Sequence, residues 1–186
     1  FFPDLRTKSA EAILSLNFPG IAIGGLSVGE PFETFLEILA HTASLLPEDK
    51  PRYLMGIGTP EYILAAVENG IDMFDCVFPT RIARNGTAFT RTGRIALKRE
   101  AHTFSDEPLE PSCSCKVCQR YSRGYLRHLF KAGEILGPVL LTYHNLFYLE
   151  QFVRDIRSSI QNNTFSTFKQ EFLSRWESPK RKTEDG

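Results

Sequence analysis

Cys113-Ser-Cys115-Lys-Val-Cys118 places three of the four cysteines of this chain within six positions. Zinc prefers four soft or borderline donors in a tetrahedron, and a turn with three thiolates supplies most of them. The alternative is three reduced cysteines in a core without a metal, which is rare at such close spacing. The fourth donor should be a histidine, and His144 is the best placed, with His128 and His102 as competitors. We therefore predict one structural zinc ion per chain, with no coordination position open to water.

Upstream of this segment, short apolar strands alternate with amphipathic helices. The predicted strands are 21–23, 53–55 and 73–77, and the predicted helices are 8–16, 31–46 and one that begins at Thr59-Pro60-Glu61. This alternation indicates a parallel sheet covered by helices. Each strand ends in a glycine or a polar group, at the edge where barrel and doubly wound enzymes place their chemistry. A closed eight-stranded barrel needs about 250 residues, so three such units could form only part of one.

From Thr80 onward the pattern changes. Residues 88–97 predict two strands around a glycine turn, and helices are expected over about 119–132, 145–160 and 165–176. Residues 178–186 are polar and charged, and we expect them to be disordered.

The composition is that of an ordinary globular protein, with 42% hydrophobic and 24% charged residues. The 22 basic and 22 acidic residues cancel, so a nucleic-acid-binding role would have to come from local clustering. No apolar stretch is long enough to cross a bilayer, and ligand-like cysteines suit a reducing cytoplasm. The first residues, Phe1-Phe2-Pro3-Asp4-Leu5-Arg6, lack an initiator Met and read like the interior of a folded protein. We therefore expect the chain to be a fragment.

Four segments resemble the tRNA-guanine transglycosylase family, in the same order. They are Gly24-Gly-Leu-Ser-Val-Gly-Glu30, Tyr53-Leu-Met-Gly-Ile-Gly-Thr-Pro60, Gly70-Ile-Asp-Met-Phe-Asp-Cys-Val-Phe-Pro-Thr-Arg-Ile-Ala-Arg-Asn-Gly86, and the three cysteines with His144. The likeness extends to about Trp176. It implies a (β/α)8 TIM barrel of which this chain holds the last three βα units. The implied division is 1–79 for the barrel part, 80–144 for an RNA-contacting hairpin and zinc subdomain, 145–177 for carboxyl-terminal helices, and 178–186 for the tail.

The resemblance implies that guanine at the anticodon wobble position is exchanged for a 7-deazaguanine, in queuosine biosynthesis. Asp75 would be the nucleophile that attacks ribose C1′ and forms a covalent intermediate, from a partly desolvated position at a strand end. The alternative is an aspartate that only caps the junction between strand and loop. In the family a second carboxylate, the general acid/base, comes from an earlier strand, before Phe1. We therefore expect the chain to be inactive alone.

The resemblance also implies a base pocket, in which bare glycine backbone and a polarizable thioether suit a flat purine. At the position of Val28 the bacterial type has Val and the eukaryotic catalytic subunit a smaller Gly that admits queuine, so preQ1 is favoured. A structural role in the core is the alternative for Tyr53 and Met55. The implied base-binding residues are Gly24, Gly25, Leu26, Val28, Tyr53 and Met55.

RNA contacts are implied for two segments. Guanidinium groups bind phosphate bidentately and reach base edges, which suits Arg81 and Arg84. For the segment 56–62 an ordinary strand-to-helix loop is the alternative. A further basic set, Arg120, Arg123, Arg127 and Lys131, has helical spacing and could be a solvated face, a tRNA contact or a partner contact. The implied RNA-binding residues are Gly56, Ile57, Gly58, Thr59, Pro60, Glu61, Tyr62, Thr80, Arg81, Ile82, Ala83 and Arg84.

The implied partners are a tRNA with a GUN anticodon, guanine or preQ1, and a second copy of the chain in a cytoplasmic homodimer. One rival is a non-catalytic, zinc-containing tRNA-binding subunit of a heterodimeric transglycosylase. The intact Phe-Asp75-Cys-Val context argues against it. Another rival is an archaeal relative with an added RNA-binding domain. A third is a generic barrel glycosidase with a zinc finger, which the Thr-Arg-x-x-Arg-Asn run makes less plausible.

Overall fold

The computed structural model describes residues 2–176. The tail 178–186, for which we predicted disorder, lies outside the described residues. The chain divides into two compact units: an amino-terminal unit, Phe1–Val77, and a carboxyl-terminal unit that begins at Phe78. Among the described residues no helix is long and apolar enough to cross a membrane.

The amino-terminal unit alternates helices and strands. Its sheet has the order β1 (Ile21–Ile23), β2 (Arg52–Leu54), β3 (Met73–Phe74), and all neighbouring strands are parallel. The core contains Ile23 and Leu54 from the strands and Phe35, Leu39 and Leu64 from the helices. This confirms the predicted mixed α/β fold with a helix-covered parallel sheet. The elements are α1 (Pro3–Leu14), β1 (Ile21–Ile23), α2 (Phe32–Ser44), β2 (Arg52–Leu54), α3 (Pro60–Glu68) and β3 (Met73–Phe74).

Two boundaries in this unit differ from the prediction by more than two residues. Helix α1 begins at Pro3 rather than at residue 8, because proline's fixed φ suits the first helical turn. Strand β3 ends at Phe74 rather than at residue 77, so Asp75 follows the strand and is not part of it. The apolar residues beyond Phe74 had suggested a longer strand, but two residues are enough to pair with β2.

The carboxyl-terminal unit combines a hairpin with helices. Strands β4 (Thr87–Thr90) and β5 (Gly93–Ala96) pair antiparallel with Phe89 opposite Arg94, as the glycine turn predicted. Helix α4 (Phe78–Arg84) was not predicted. Helix α5 begins at Arg123, later than expected, after the N-cap residue Ser122, whose hydroxyl accepts a hydrogen bond from the Tyr125 amide at 3.2 Å. Helix α6 begins at Leu136, earlier than the predicted residue 145. The elements are α4 (Phe78–Arg84), β4 (Thr87–Thr90), β5 (Gly93–Ala96), a 3-10 turn (Glu100–His102), α5 (Arg123–Lys131), α6 (Leu136–Gln161) and α7 (Phe165–Arg175).

Two groups of buried residues hold this unit together. One surrounds the cysteine segment and includes Ala83, Leu97, Leu109, Leu126 and Leu141. The other is aromatic: the Trp176 ring stacks on Phe172 with ring centroids 5.2 Å apart and lies 6.2 Å from Phe89. Trp176 is only 7% exposed.

Candidate active site and metal centre

Asp75 lies at the carboxyl edge of the parallel sheet, where β2 and β3 present their ends. Tyr53 of β2 pairs with Met73 of β3, and Asp75 lies two residues beyond Met73, which returns its side chain to the same face in an extended chain. The Tyr53 hydroxyl donates a hydrogen bond to Asp75 Oδ1 at 2.6 Å. The Gly56 amide donates to the same oxygen at 3.0 Å. Two donors from one strand and its loop therefore orient one carboxylate.

These hydrogen bonds keep Asp75 ionised. The Tyr53 hydroxyl, and after it the Gly56 amide, lower the pKa of Asp75 below its ordinary value because they stabilise the carboxylate. The same contact raises the pKa of Tyr53. The expectation that Asp75 is partly desolvated is wrong: the residue is exposed, because it follows the edge strand β3, where Met73 is exposed as well. Its carboxylate is thus held by hydrogen bonds and not by burial.

The loop after β1 contains four of the predicted base-binding residues. Its backbone is sharply turned, with φ of +68° at Gly25, +58° at Ser27 and +128° at Gly29. The side chain of Leu26 is buried, so it packs into the core and leaves only its backbone for a ligand. Val28 is 74% exposed. The loop therefore offers bare glycine backbone beside one exposed, compact side chain.

Two charged side chains fix this loop. Arg6 of α1 donates to the carbonyl oxygens of Gly24, at 2.7 Å, and Gly25, at 3.1 Å. The buried Glu30 carboxylate accepts from the amides of Ser27 and Val28, the latter at 2.9 Å. Burial acts to raise the pKa of Glu30, but these backbone hydrogen bonds outweigh it and keep the pKa below its ordinary value.

The structure brings the two base-binding segments together. A Cβ added at Gly24 would lie 3.5 Å from Met55 Sδ, and the Met55 amide donates to the Ile23 carbonyl at 3.0 Å. Met55 is 47% exposed, and Tyr53 is half-buried, so neither is an ordinary core residue. The glycine backbone, the thioether and the Tyr53–Asp75 pair therefore lie along one edge of one sheet.

The segment 56–62 is partly buried. Gly56 is exposed, with a φ of +79° that favours glycine. Ile57, Gly58 and Pro60 are buried, whereas Thr59 and Glu61 are half-buried. The Tyr62 ring packs on Phe32 and Phe35, with centroids 4.8 and 4.6 Å away. Much of this segment thus connects β2 to α3, and its RNA contact stays a prediction.

Helix α4 carries the second predicted RNA-binding segment. Arg81 and Arg84 are exposed and three positions apart, which places them on one helix face. Ala83 is fully buried on the opposite side, and Thr80 and Ile82 are half-buried. Positive charge continues beyond the helix, because residues 78–99 contain no Asp or Glu but six basic residues: Arg81, Arg84, Arg91, Arg94, Lys98 and Arg99.

Cys113, Cys115, Cys118 and His144 form one cluster, in which the four ligand atoms lie within 4.8 Å of one another. His144 Nδ1 is 3.9, 3.5 and 3.4 Å from the respective sulfur atoms. His144 is completely buried in α6, and its Nε2 donates to the Phe89 carbonyl at 2.8 Å. That bond fixes the tautomer with its Nδ1 lone pair toward the sulfurs, as is usual for a metal-bound histidine. The predicted ligand set is therefore assembled.

The competing histidines lie elsewhere. His128 is exposed on α5. Burial, and then the nearby charges of Arg123, Arg99 and Arg127, lower the pKa of His102. Neither histidine belongs to the cysteine cluster.

The predicted basic face of one helix is wrong in part. Arg120 precedes α5 and so cannot share a helix face with Arg123, Arg127 and Lys131. Two of the others have structural partners: Arg123 donates to the Leu109 carbonyl at 3.1 Å, and Arg127 to the Arg99 carbonyl at 3.0 Å.

Two residues at these sites were missed from the sequence: Arg6 and Glu30. Both hold backbone groups of the irregular loop after β1. Glu30 is the last residue of the quoted Gly24–Glu30 segment, which was a usable signal, whereas no pattern in the sequence marks Arg6.

Comparison with known proteins matches this chain to a family. The profile of the family described as Queuine tRNA-ribosyltransferase matches residues 1–178. Proteins named Queuine tRNA-ribosyltransferase from Borrelia hermsii and Treponema denticola are each 54% identical over 177 residues, covering 95% of this chain and 47% of theirs. The protein of that name from Natranaerobius thermophilus is 53% identical over 176 residues, covering 95% of this chain and 48% of its own. The chain thus spans about half the length of the curated relatives it matches.

Proposed function

We propose that this chain, which belongs to the Queuine tRNA-ribosyltransferase family, forms part of a tRNA-guanine transglycosylase. The reaction would exchange guanine at the anticodon wobble position for the 7-deazaguanine preQ1. The single observation that supports this best is the Asp75 carboxylate, oriented by Tyr53 and Gly56 beside the Gly24–Met55 contact. The same arrangement favours an enzyme over a non-catalytic subunit, which needs no oriented nucleophile.

Asp75 would perform nucleophilic substitution at the ribose. A carboxylate oxygen attacks C1′, the bond from C1′ to guanine N9 breaks, and guanine leaves with the bonding electron pair and takes up a proton. The incoming base then loses its N9 proton and attacks C1′, which breaks the ester and frees Asp75. The lowered pKa of Asp75 keeps it ionised for the first attack.

The second carboxylate, which would move these protons, is expected in residues before Phe1. We therefore propose that the chain represents the carboxyl-terminal half of a (β/α)8 barrel enzyme and that it is inactive alone. The division into 1–79, 80–144, 145–177 and 178–186 stays a proposal, and its boundary between 144 and 145 falls inside α6.

The loop after β1 would receive the base. Glycine at positions 24 and 25 lets backbone approach a purine closely, and the Met55 thioether suits its face. The Tyr53 hydroxyl is engaged with Asp75, so the ring remains for stacking. Val28, exposed on the same loop, would limit the size of the substituent on the deazaguanine.

The basic segment 78–99, which includes Arg81 and Arg84, would hold the tRNA. Its charge is local, because the whole chain is neutral, and guanidinium groups bind phosphates. The wobble nucleotide must leave its stack to reach Asp75, so contacts to its neighbours are required. We propose a tRNA with a GUN anticodon as substrate, a homodimer as the working assembly, and the cytoplasm as its location.

Zinc is the proposed metal of the Cys113, Cys115, Cys118 and His144 cluster. The residues fit it, since three sulfurs and one imidazole nitrogen converge and His144 has the supporting carbonyl bond. When bound, the ion would supply cross-linking of the cysteine segment to α6 and no chemistry on the substrate.

Trapping the intermediate tests this proposal. The longest natural reading frame that contains these residues is mixed with an anticodon stem–loop RNA, quenched in acid and run on a denaturing gel. We expect an RNA–protein adduct with the wild type and with Asp49→Asn, an exposed control, but none with Asp75→Asn. An adduct with Asp75→Asn, or base exchange by the 186-residue chain alone, would contradict the proposal.

A further inference from the structure

His144 and Asn145 are neighbours on α6, and both side chains are completely buried. His144 belongs to the metal cluster, whereas Asn145 has no place in the metal site or in the proposed chemistry. A buried amide requires partners for one acceptor and two donors, and the partners of Asn145 reveal what it holds.

Asn145 uses its amide on three backbone groups far away in sequence. Its Oδ1 accepts from the Phe89 amide at 3.0 Å. Its Nδ2 donates to the Pro79 carbonyl at 3.0 Å and to the Thr87 carbonyl at 3.1 Å. One side chain of α6 thus ties together the first turn of α4 and the strand β4.

The contacts to β4 close the free edge of a two-stranded hairpin. β4 pairs only with β5 within the described residues, so its other edge exposes backbone groups that need partners. Asn145 accepts a hydrogen bond from the Phe89 amide and donates one to the Thr87 carbonyl, and His144 donates one to the Phe89 carbonyl. The hairpin is therefore seated on α6 through side chains, in place of a third strand.

The contact to α4 stabilises a helix that is too short to be stable on its own. Helix α4 has seven residues, and isolated helices of that length are unstable in water. It is anchored by burial of Ala83 and by the hydrogen bond from Asn145 to Pro79. Arg81 and Arg84 lie on its exposed side, so their direction depends on how α4 is seated.

We propose that Asn145 is a positioning residue for RNA binding: it sets the orientation of α4 against the hairpin and α6, and so aims Arg81 and Arg84 at the phosphates. The inference rests on the proposed RNA contact of α4. Aspartate has almost the shape of asparagine but cannot donate when ionised, so it would face the carbonyls of Pro79 and Thr87 with negative charge.

The test measures affinity for a fluorescein-labelled anticodon stem–loop by anisotropy, over a series of salt concentrations, in the longest natural reading frame that contains the chain. Asn145→Asp should raise Kd by about tenfold or more and reduce the salt slope, since each lost phosphate contact on a single strand lowers it by about 0.7. Bound metal should remain at the wild-type level. If Asn145→Asp does not fold, Asn145→Ser, which keeps one donor, takes its place with the same expectation.

Two comparison variants separate the possible outcomes. Phe152→Ala removes a buried ring that contacts Phe168 and Phe172 on α7, so it should lower Tm while leaving Kd within about twofold below the unfolding transition. The double variant Arg81→Ala/Arg84→Ala tests the RNA contact itself, and unchanged affinity there refutes that contact and this inference with it. The positioning role alone is overturned by either of two results, provided that the double variant weakens binding. In the first, Asn145→Asp binds the RNA as tightly as the wild type does. In the second, Phe152→Ala weakens binding as much as Asn145→Asp does.

Discussion

Loss of one metal ligand should destabilise the carboxyl-terminal unit selectively, and Cys115→Ser is the sharpest perturbation. Cys115 is 1% exposed, its sulfur lies 3.5 Å from His144 Nδ1, and it accepts from the Cys118 amide at 3.4 Å. A serine hydroxyl stays protonated at neutral pH and is a poor zinc ligand.

The size of the effect follows from the metal affinity. Changing residues that only support a ligand costs about 10- to 100-fold in affinity, so loss of a ligand should cost at least about 100-fold. That equals about 2.7 kcal/mol, which should lower Tm by about 10–20 °C in a unit of this size. Complete removal of the metal should cost more, because structural zinc contributes about 10–16 kcal/mol in small peptides, comparable with the whole stability of a domain.

Metal content by mass spectrometry and thermal unfolding by circular dichroism, with and without a chelator, measure both effects. Cys76→Ser is the matched control, because Cys76 is the fourth cysteine and lies outside the cluster. A Cys115→Ser variant that retains metal against a chelator as well as the wild type does, or a chelated wild type that unfolds at an unchanged temperature, would refute this reasoning.

Three further predictions concern the proposed active site and are measured in the longest natural reading frame that contains the chain. Tyr53→Phe removes the main cause of the lowered pKa of Asp75, so the acidic limb of the kcat–pH profile should move to higher pH; an unmoved limb counts against Asp75 as the ionised nucleophile. Val28→Gly should increase kcat/KM for queuine relative to preQ1 in a base-exchange assay, and unchanged selectivity would remove Val28 from the pocket. Gly25→Ala forces a side chain onto a φ of +68° and to 3.3 Å from Arg6 Nη2, so KM for the base should rise by about tenfold or more with the fold kept, as checked by circular dichroism.

The repeating part of the fold was readable from the sequence because it follows from local chemistry. Apolar strands such as 21–23 and helices that begin at a proline, such as α3, show local sequence patterns that the folded structure keeps. Helix α4 was not readable, because its seven residues form only when Pro79 and Ala83 meet α6. The end of β3 was also mispredicted, because apolar residues continue past Phe74 whereas the strand's backbone pairing ends there.

The candidate sites divide in the same way. The cysteine spacing indicated the metal ligands because coordination chemistry requires close donors, and the structure assembles them with His144. The hydrogen bond between Tyr53 and Asp75 depends on where two strands end relative to each other, and no local sequence pattern predicts that. Arg6 reaches Gly24 from eighteen positions away, and contacts of that range exist only in the folded chain.

Trp176 has a practical consequence. It is the only tryptophan of the chain, and its indole stacks on Phe172 in the carboxyl-terminal unit. Intrinsic emission excited at the red edge of the absorption band therefore comes from that unit alone. A red shift of this emission would report when the indole becomes hydrated, which gives an optical handle on one half of the molecule without any label.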